Sequence, residues 1–336
     1  MSKFKIYKLH FTTPLHLGDE REDYGISLRT IHSDTMYAAF VSVLAKIGRE
    51  IPENADLGFT ISSLFPFYQK NKNSEPIYFM PKLLKQSLPD KKHQDIAKKI
   101  KKVKWLDKEF FQKQISGKEL FDEEFNPHNL KGEYLTTKNI PDNEFINSQV
   151  FPRVTVSRTG KEDAKPFYME RLFFKDYSGM FFIAEGDTEL LDIAIELLKN
   201  EGIGTDRNVG NGFFEFDKKK DIETNIELNL PESEYVCNLS MFLPESHEVA
   251  KELLNSDNVA YDFQKRGGWI TTPPYGKLRK NNVYMFNEAS IFKSKTINKK
   301  FVKGKIADLT PDVEHVKFEH KIYRNGKSIF IPVKIF

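Results

Sequence analysis

At 336 residues the chain can bury a sizeable core and, on length, form about two domains. Its 51 Lys and Arg against 48 Asp and Glu leave a net charge of only +3, which excludes a wholly basic nucleic-acid binder and confines any such site to a local patch. The single cysteine, Cys237, excludes an intramolecular disulfide framework and a zinc site built on several thiolates; the N-terminus MSKFKIYKLHF lacks an apolar signal core and no run approaches membrane-spanning length, so a soluble, cytoplasmic protein is expected.

Residues 3–12 read as a strand, with Tyr7, Leu9 and Phe11 on one face and Phe4, Ile6, Lys8 and His10 on the other. After the loop TTPLHLGDEREDYGISLRTI, the spacing of Met36, Ala39, Phe40, Val43, Leu44 and Ile47 predicts a helix over 34–47, capped by Ser33 and closed by Gly48. The runs at 150–158 and 167–185 are strand-like. A helix follows over 188–200, capped by Asp187, with Leu190, Leu191, Ala194, Leu197 and Leu198 on one face and Gly202 ending it in a left-handed conformation. Phe214 and Phe216 then alternate with Glu215 and Asp217 as a short strand. The sum is β-α-β-β-α-β, the ferredoxin-like order, with a long insertion at about 50–145.

Within the insertion, HQDIAKKIKKVKWL places Ile96, Ile100 and Val103 in a stripe flanked by five lysines across 98–104. It reads either as a cradle for RNA or an acidic partner, or as an ordinary solvated helix packed on its domain. The polar stretch KKKDIETNIELNLPES separates a first domain, 1–225, from a second, 230–336, in which EYVCNLSMFLP reads as a strand, SHEVAKELLN as a helix, and VYMFNEASIF and KSIFIPVKIF as further strands. The expected fold is α+β: tandem ferredoxin-like (RRM-like) domains, the first carrying the insertion and the second a degenerate copy.

The most informative stretch is GIGTDRNVGNGFFEF, residues 202–216, between a helix and a strand. A dinucleotide fingerprint needs a third glycine where Arg207 stands, and both it and the NTPase phosphate loop run strand, loop, helix, the reverse of the order here. What remains is Gly202, Gly204, Gly210 and Gly212, which let backbone amides approach a ligand, with Arg207, Asn208 and Asn211 among them. That suits a phosphate-sugar chain better than a single nucleotide. The competing reading is a flexible helix-to-strand connection.

FTTPLHLGD, IHSDTMYAAF, PRVTVSRTG, GIGTDRNVGNGFFEF and KRGGWI, in this order over nearly the whole chain, resemble the RAMP superfamily of CRISPR proteins, and within it the subunit of the type III-A (Csm) effector complex that holds the crRNA 5′ handle. The resemblance is weakest in the insertion. It implies two RNA-recognition folds, binding of the repeat-derived handle, and contacts with the large polymerase/cyclase subunit and the adjoining backbone subunit.

The residues supply mechanisms for that expectation. His32, Ser33 and Asp34 stand at a helix N-terminus, where free amides favour a phosphate, with Ser33 the expected contact and Asp34 a cap or orienting group; an ordinary helix cap is the alternative. Arg153 and Arg158 bracket VTVS in a segment resembling the family's thumb-like hairpin, where guanidinium forks could grip phosphates or stack on a displaced base, or simply protect an edge strand. In KRGGWI, Lys265 and Arg266 offer charge, Gly267 and Gly268 close approach, and Trp269 either a stacking plane or a core anchor. Lys277, Arg279 and Lys280 form a weaker basic cluster.

Two other classes stand against RNA binding without catalysis. One is a metal-independent endoribonuclease processing precursor crRNA, with His10, His16 or His32 as acid or base. However, no His-Tyr-Lys cluster matching a processing nuclease is present, and His16 is assigned to packing or RNA contact. The other is a structural adaptor without RNA contact. No H-D doublet, DxD motif or His/Cys cluster points to a metal, and no cofactor is expected.

Overall fold

The computed structural model describes residues 2–18, 24–85, 96–141, 145–156, 163–175, 177–216, 225–293 and 303–335. Strand β1 (Ser2–Phe11) has neighbours along both edges, and both its faces are covered: Phe4, Ile6, Tyr7 and Leu9 are all buried. After it come α1 (Ser33–Lys46), β2 (Phe59–Ile61), β3 (Phe65–Tyr68), β4 (Ile77–Pro81), α2 (Ala97–Lys102), β5 (Trp105–Asp107), α3 (Lys108–Ile115), β6 (Leu130–Lys131), β7 (Tyr134–Leu135), β8 (Ile146–Thr155), β9 (Lys165–Phe174), β10 (Gly179–Gly186), α4 (Thr188–Glu201), β11 (Phe214–Glu215) and β12 (Asn225–Leu228).

Ten of these strands form one sheet in the order β11–β1–β10–β3–β4–β5–β7–β6, with β12 also paired to β1 and β2 to β10. The pairs β11–β1, β1–β10 and β10–β3 are all antiparallel. Helices α1 and α4 pack on each other, and the Tyr7 hydroxyl donates to Asp192 of α4 at 2.6 Å, fixing helix to sheet. Asp187 caps α4 by accepting from the amides of Glu189 and Leu190, as its position predicts. Gly202 ends α4 with φ +72° but ψ 172°, which lies outside the left-handed helical well and is open to glycine alone.

Three expectations change. The run 167–185 is two strands: β9 leaves the sheet to pair with β8 over ten residues, while β10 stays in it. The insertion at about 50–145 belongs to the first sheet, because β2 to β7 extend it. Its basic segment makes only the short α2, since Val103 turns extended and Trp105 joins β5. Ile100, Val103 and Trp105 are buried, so the apolar stripe packs on its own domain. Finally, β12 keeps the chain in the first sheet as far as Leu228.

The second lobe contains β13 (Tyr235–Asn238), α5 (His247–Leu254), β14 (Phe263–Arg266), β15 (Val283–Phe286), β16 (Ile291–Lys293), β17 (Ile306–Asp308), β18 (Tyr323–Asn325) and β19 (Phe330–Val333). They form a three-stranded sheet, β16–β13–β19, and two separate ribbons, β14–β15 and β17–β18. Among the described residues this lobe has a single α-helix, where a full copy of the first unit needs two. Cys237, Leu239, Ile291, Ile329, Ile331 and Val333 join the same apolar core as β1, β10 and α4, so the two lobes are packed as one body.

Candidate nucleic-acid interface

The glycine loop is pinned to the segment after β1. Thr205 N donates to His16 O at 2.9 Å, Gly212 N to Pro14 O at 2.8 Å, and Ile203 N to Gly212 O at 2.9 Å. Two of its glycines are there for room: a Cβ on Gly204 would lie 2.4 Å from His16 O, and one on Gly212 1.8 Å from Ile203 O, both at positive φ. Gly210, at φ +91°, has no atom within 4 Å of that position and faces open space.

A short 3-10 turn, Arg207–Val209, forms the tip of the loop, entered through Asp206 in the left-handed region. The amides of Gly204, Asp206, Arg207 and Asn208 have no acceptor among the described residues, whereas those of Gly202, Ile203, Thr205, Val209, Gly210, Asn211 and Gly212 are all bonded. The expectation of a loop lined throughout with free amides therefore narrows to its tip. Arg207 and Asn208 are exposed there, and among the described residues the Arg207 guanidinium reaches only Gly202 O, at 3.5 Å. Asn211 is buried, and its Nδ2 has no partner among the described residues.

The β8–β9 hairpin stands over this loop. Its register pairs Gln149 with Arg171, Arg153 with Phe167 and Thr155 with Lys165, so alternate residues place Arg153, Thr155, Lys165, Phe167 and Arg171 on one face. That face meets the loop, Arg153 Nη2 lying 3.6 Å from Asp206 Oδ2. Burial, and then Arg153, lower the Arg171 guanidinium from its ordinary value, and its Nε is buried without a partner among the described residues. Arg158, the other expected hairpin contact, lies outside the described residues.

Between hairpin, loop and second lobe runs a cleft of about 510 Å³, lined by Tyr24, Thr155, Lys165, Phe167, Asp206 and Trp269. Trp269 is half-buried, with the Arg279 guanidinium 4.9 Å from its ring centre. It serves as a cleft wall and not as a core anchor. The quoted motifs missed Tyr24, Lys165 and Phe167. The period-2 alternation of KPFYMER, in phase with Arg153 across the hairpin, is the signal that could have found the latter two.

Ser33, Asp34 and Arg266 are not placed for the expected phosphate contacts. Ser33 is the first helical residue and not the cap; His32 holds the cap position with extended backbone and makes no side-chain cap. Ser33 and Asp34 are fully buried, because the second lobe lies over the helix end. Ser33 N donates to Ser63 Oγ at 2.8 Å and Ser33 Oγ accepts from Met241 N at 2.9 Å. Asp34 accepts from Arg266 at 2.9 and 3.0 Å and from Arg324 at 2.6 Å. Burial alone would raise the Asp34 carboxyl, but Arg324 and Arg266 hold it well below the usual carboxylate range. Arg266 is thus turned inward. Lys265, its neighbour on β14, is exposed, as is Gly268, while Gly267 O accepts from Arg324 at 2.7 Å.

The histidines proposed for acid-base work are held in place. Burial would lower His32, yet its contact with Glu288, 2.9 Å from Nδ1, raises it overall; Glu288 also accepts from Ser63. His16 is fully buried, its Nδ1 2.7 Å from Glu170 O and its Nε2 without a partner among the described residues. His10 sits edge-on to Phe67. Among the described residues no group of three or more His, Cys, Asp or Glu is placed to hold a metal ion, and no helix is long and apolar enough to cross a membrane.

Residues 231–333 match the model of the CRISPR Csm4 C-terminal domain. The chain is 25% identical over 280 residues to the CRISPR system Cms protein Csm4 of Thermococcus onnurineus (strain NA1), covering 78% of this chain and 81% of that one. It is 24% identical over 339 residues to the protein of the same name from Streptococcus thermophilus, covering 99% of each. Its fold is similar to a chain in the crystal structure of a Csm1-Csm4 cassette in complex with pppApA, with a TM-score of 0.58 at 20% identity over 99% of both chains. It is also similar to one in a Csm3-Csm4 subcomplex of the type III-A CRISPR-Cas interference complex, with a TM-score of 0.55 at 19% identity over 99% and 100%. The likeness is to CRISPR proteins of the Csm class. Within that class the chain is Csm4-like, from the matched C-terminal domain to relatives aligned over the whole length.

Proposed function

We propose that this protein is the non-catalytic RNA-binding subunit of a type III-A effector ribonucleoprotein, holding the crRNA 5′ handle in the cleft between the β8–β9 hairpin, the glycine loop and Trp269. The observation that carries this reading is convergence: three stretches far apart in sequence, around residues 153, 206 and 269, meet at one cleft. Rings of Tyr24, Phe167 and Trp269 offer stacking faces, while Lys165 and Arg153 offer phosphate contacts. The unbonded amides at the loop tip add donors for phosphate or sugar.

Similar chains have been solved with Csm1 and with Csm3, which supports docking of this one to the large polymerase/cyclase subunit and to the adjoining backbone subunit. The strand order β11–β1–β10–β3 with α1 and α4 supports a ferredoxin-like first domain over 1–225, and 230–336 is read as its degenerate partner. Such an assembly works in the cytoplasm.

The test is binding of handle-containing RNA across salt concentrations, by the chain alone and with its partner subunit. Lys165→Ala and Arg153→Ala should each lower the log-log salt slope by about 0.7, the value for one phosphate contact on a single strand. Trp269→Ala should weaken binding by about 1–3 kcal/mol with the slope unchanged. Unaltered slopes in both cationic variants overturn the site. Metal-free cleavage lost on a single His→Ala change would establish the endoribonuclease instead.

A further inference from the structure

Among the described residues that line the cleft, Asp206 alone carries a carboxylate. A negative charge there repels the phosphates that Arg153 and Lys165 attract, and two ordinary uses do not account for it. Asp206 holds the cap position of the 3-10 turn Arg207–Val209, where aspartate commonly accepts from the turn's amides, yet its side chain makes no such bond. A capping residue has extended backbone, whereas Asp206 is left-handed, at φ +60° and ψ 32°, which keeps the carboxylate off the turn. Nor does it hydrogen-bond the hairpin: at 3.6 Å, Arg153 Nη2 and Asp206 Oδ2 form an ion pair too long for a hydrogen bond.

The carboxylate is therefore a half-buried acceptor, open to the cleft, with no hydrogen-bond donor on it among the described residues. A phosphodiester has no proton to give it. The groups of a nucleic-acid strand that do are base amines and the sugar hydroxyl. Its place beside Arg153 favours the sugar: a backbone phosphate held by that guanidinium brings the adjoining ribose to Asp206, while the rings of Tyr24, Phe167 and Trp269 take the bases.

We propose that Asp206 accepts a hydrogen bond from a ribose 2′-hydroxyl and so makes the cleft selective for RNA over DNA. Such a bond is charge-assisted, and only RNA carries the donor. This role rests on the handle-binding reading of the cleft, whose phosphate and stacking contacts do not by themselves tell the two sugars apart.

Binding of the full chain to handle-containing RNA, to the DNA strand of the same sequence, and to RNAs carrying one 2′-fluoro sugar tests it. Fluorine keeps the sugar pucker of RNA but cannot donate. The wild type should favour RNA about tenfold, the worth of one charge-assisted hydrogen bond, and fluorine at one position should cost it the same factor. Asp206→Gly, which suits a left-handed backbone, should lose both effects. Asp206→Asn, a neutral acceptor that also tolerates this conformation, should keep part of each. A structural carboxylate gives a different result: losing a brace on Arg153 weakens RNA and DNA by one common factor, and relieving repulsion strengthens both by one common factor. Either outcome overturns the proposal, as does a wild type indifferent to the sugar, or an Asp206→Gly protein whose discrimination relaxes at one base and not at the sugar. If Lys165→Ala and Arg153→Ala leave the salt slope unchanged, the cleft reading fails and takes this role with it. If those slopes fall while the sugar preference ignores Asp206, only this role falls.

Discussion

The glycine loop and the inter-lobe joint are built from the same kinds of residue, and the fold puts them to opposite uses. Each places glycines and arginine beside the end of a helix, at 202–212 after α4 and at 266–268 against the start of α1. At the loop the tip is left uncovered, so Arg207, Asn208 and Gly210 face outward. At the joint the second lobe covers the helix end, and Arg266, Asp34 and Arg324 become an internal ion cluster. Whether such a motif is a surface or a seam is decided by what packs opposite, a long-range property that local pattern does not contain.

The sharpest way to break this contrast is Asp34→Ala. It leaves two guanidiniums buried without their carboxylate, which should cost about 3–5 kcal/mol in a denaturant titration. A loss below about 1 kcal/mol would place the cluster in solvent and put the α1 start back among surface contacts. The loop is expected to divide internally. Gly212→Ala drives a Cβ into the Ile203 carbonyl at positive φ and should cost about 3 kcal/mol, whereas Gly210→Ala pays only the left-handed penalty, about 1–2 kcal/mol. Equal losses at the two positions would mean that the loop is architectural throughout.

Much of the frame was legible in the sequence, because it rests on local periodicity. Helix α4 with its Asp187 cap and Gly202 stop follows from the 3.6-residue spacing, as does α1 to within a residue at each end. The division of 167–185 was not legible, since β9 and β10 are both rich in aromatics and their separate partners, β8 for one and β1 and β3 for the other, are a long-range property. Ser33 and Asp34 look like a cap in sequence because Ser and Asp are favoured there. Their real partners, Met241, Arg266 and Arg324, lie more than two hundred residues away. The cleft falls between these cases: Arg153 and Trp269 were singled out, but Tyr24 on the other wall lies in a stretch with no period to mark it.

A smaller effect distinguishes the joint by pH. His32 is raised above its ordinary 6.5 by Glu288, so the folded state favours the imidazolium. That stabilisation is complete below pH 6.5 and is lost as pH rises through the raised folded value. Tm of the wild type should therefore fall relative to His32→Gln between mildly acidic and mildly alkaline buffer. Parallel curves for the two proteins would remove the ion pair from the account of the seam.

The smallest stability change belongs to Arg207→Ala, and for that reason it separates surface from seam most cleanly. The side chain is exposed and its one hydrogen bond among the described residues is 3.5 Å long, so removing it should move folding stability by no more than about 0.5 kcal/mol. If the tip is a phosphate contact, the same change should still lower the salt slope of RNA binding by about 0.7. The two readouts move independently only where a charge is spent on a ligand and not on the fold. A variant that lost stability in proportion to affinity would show Arg207 bracing the loop against Gly202 O, and the exposed tip would then belong with the seam as a feature of architecture.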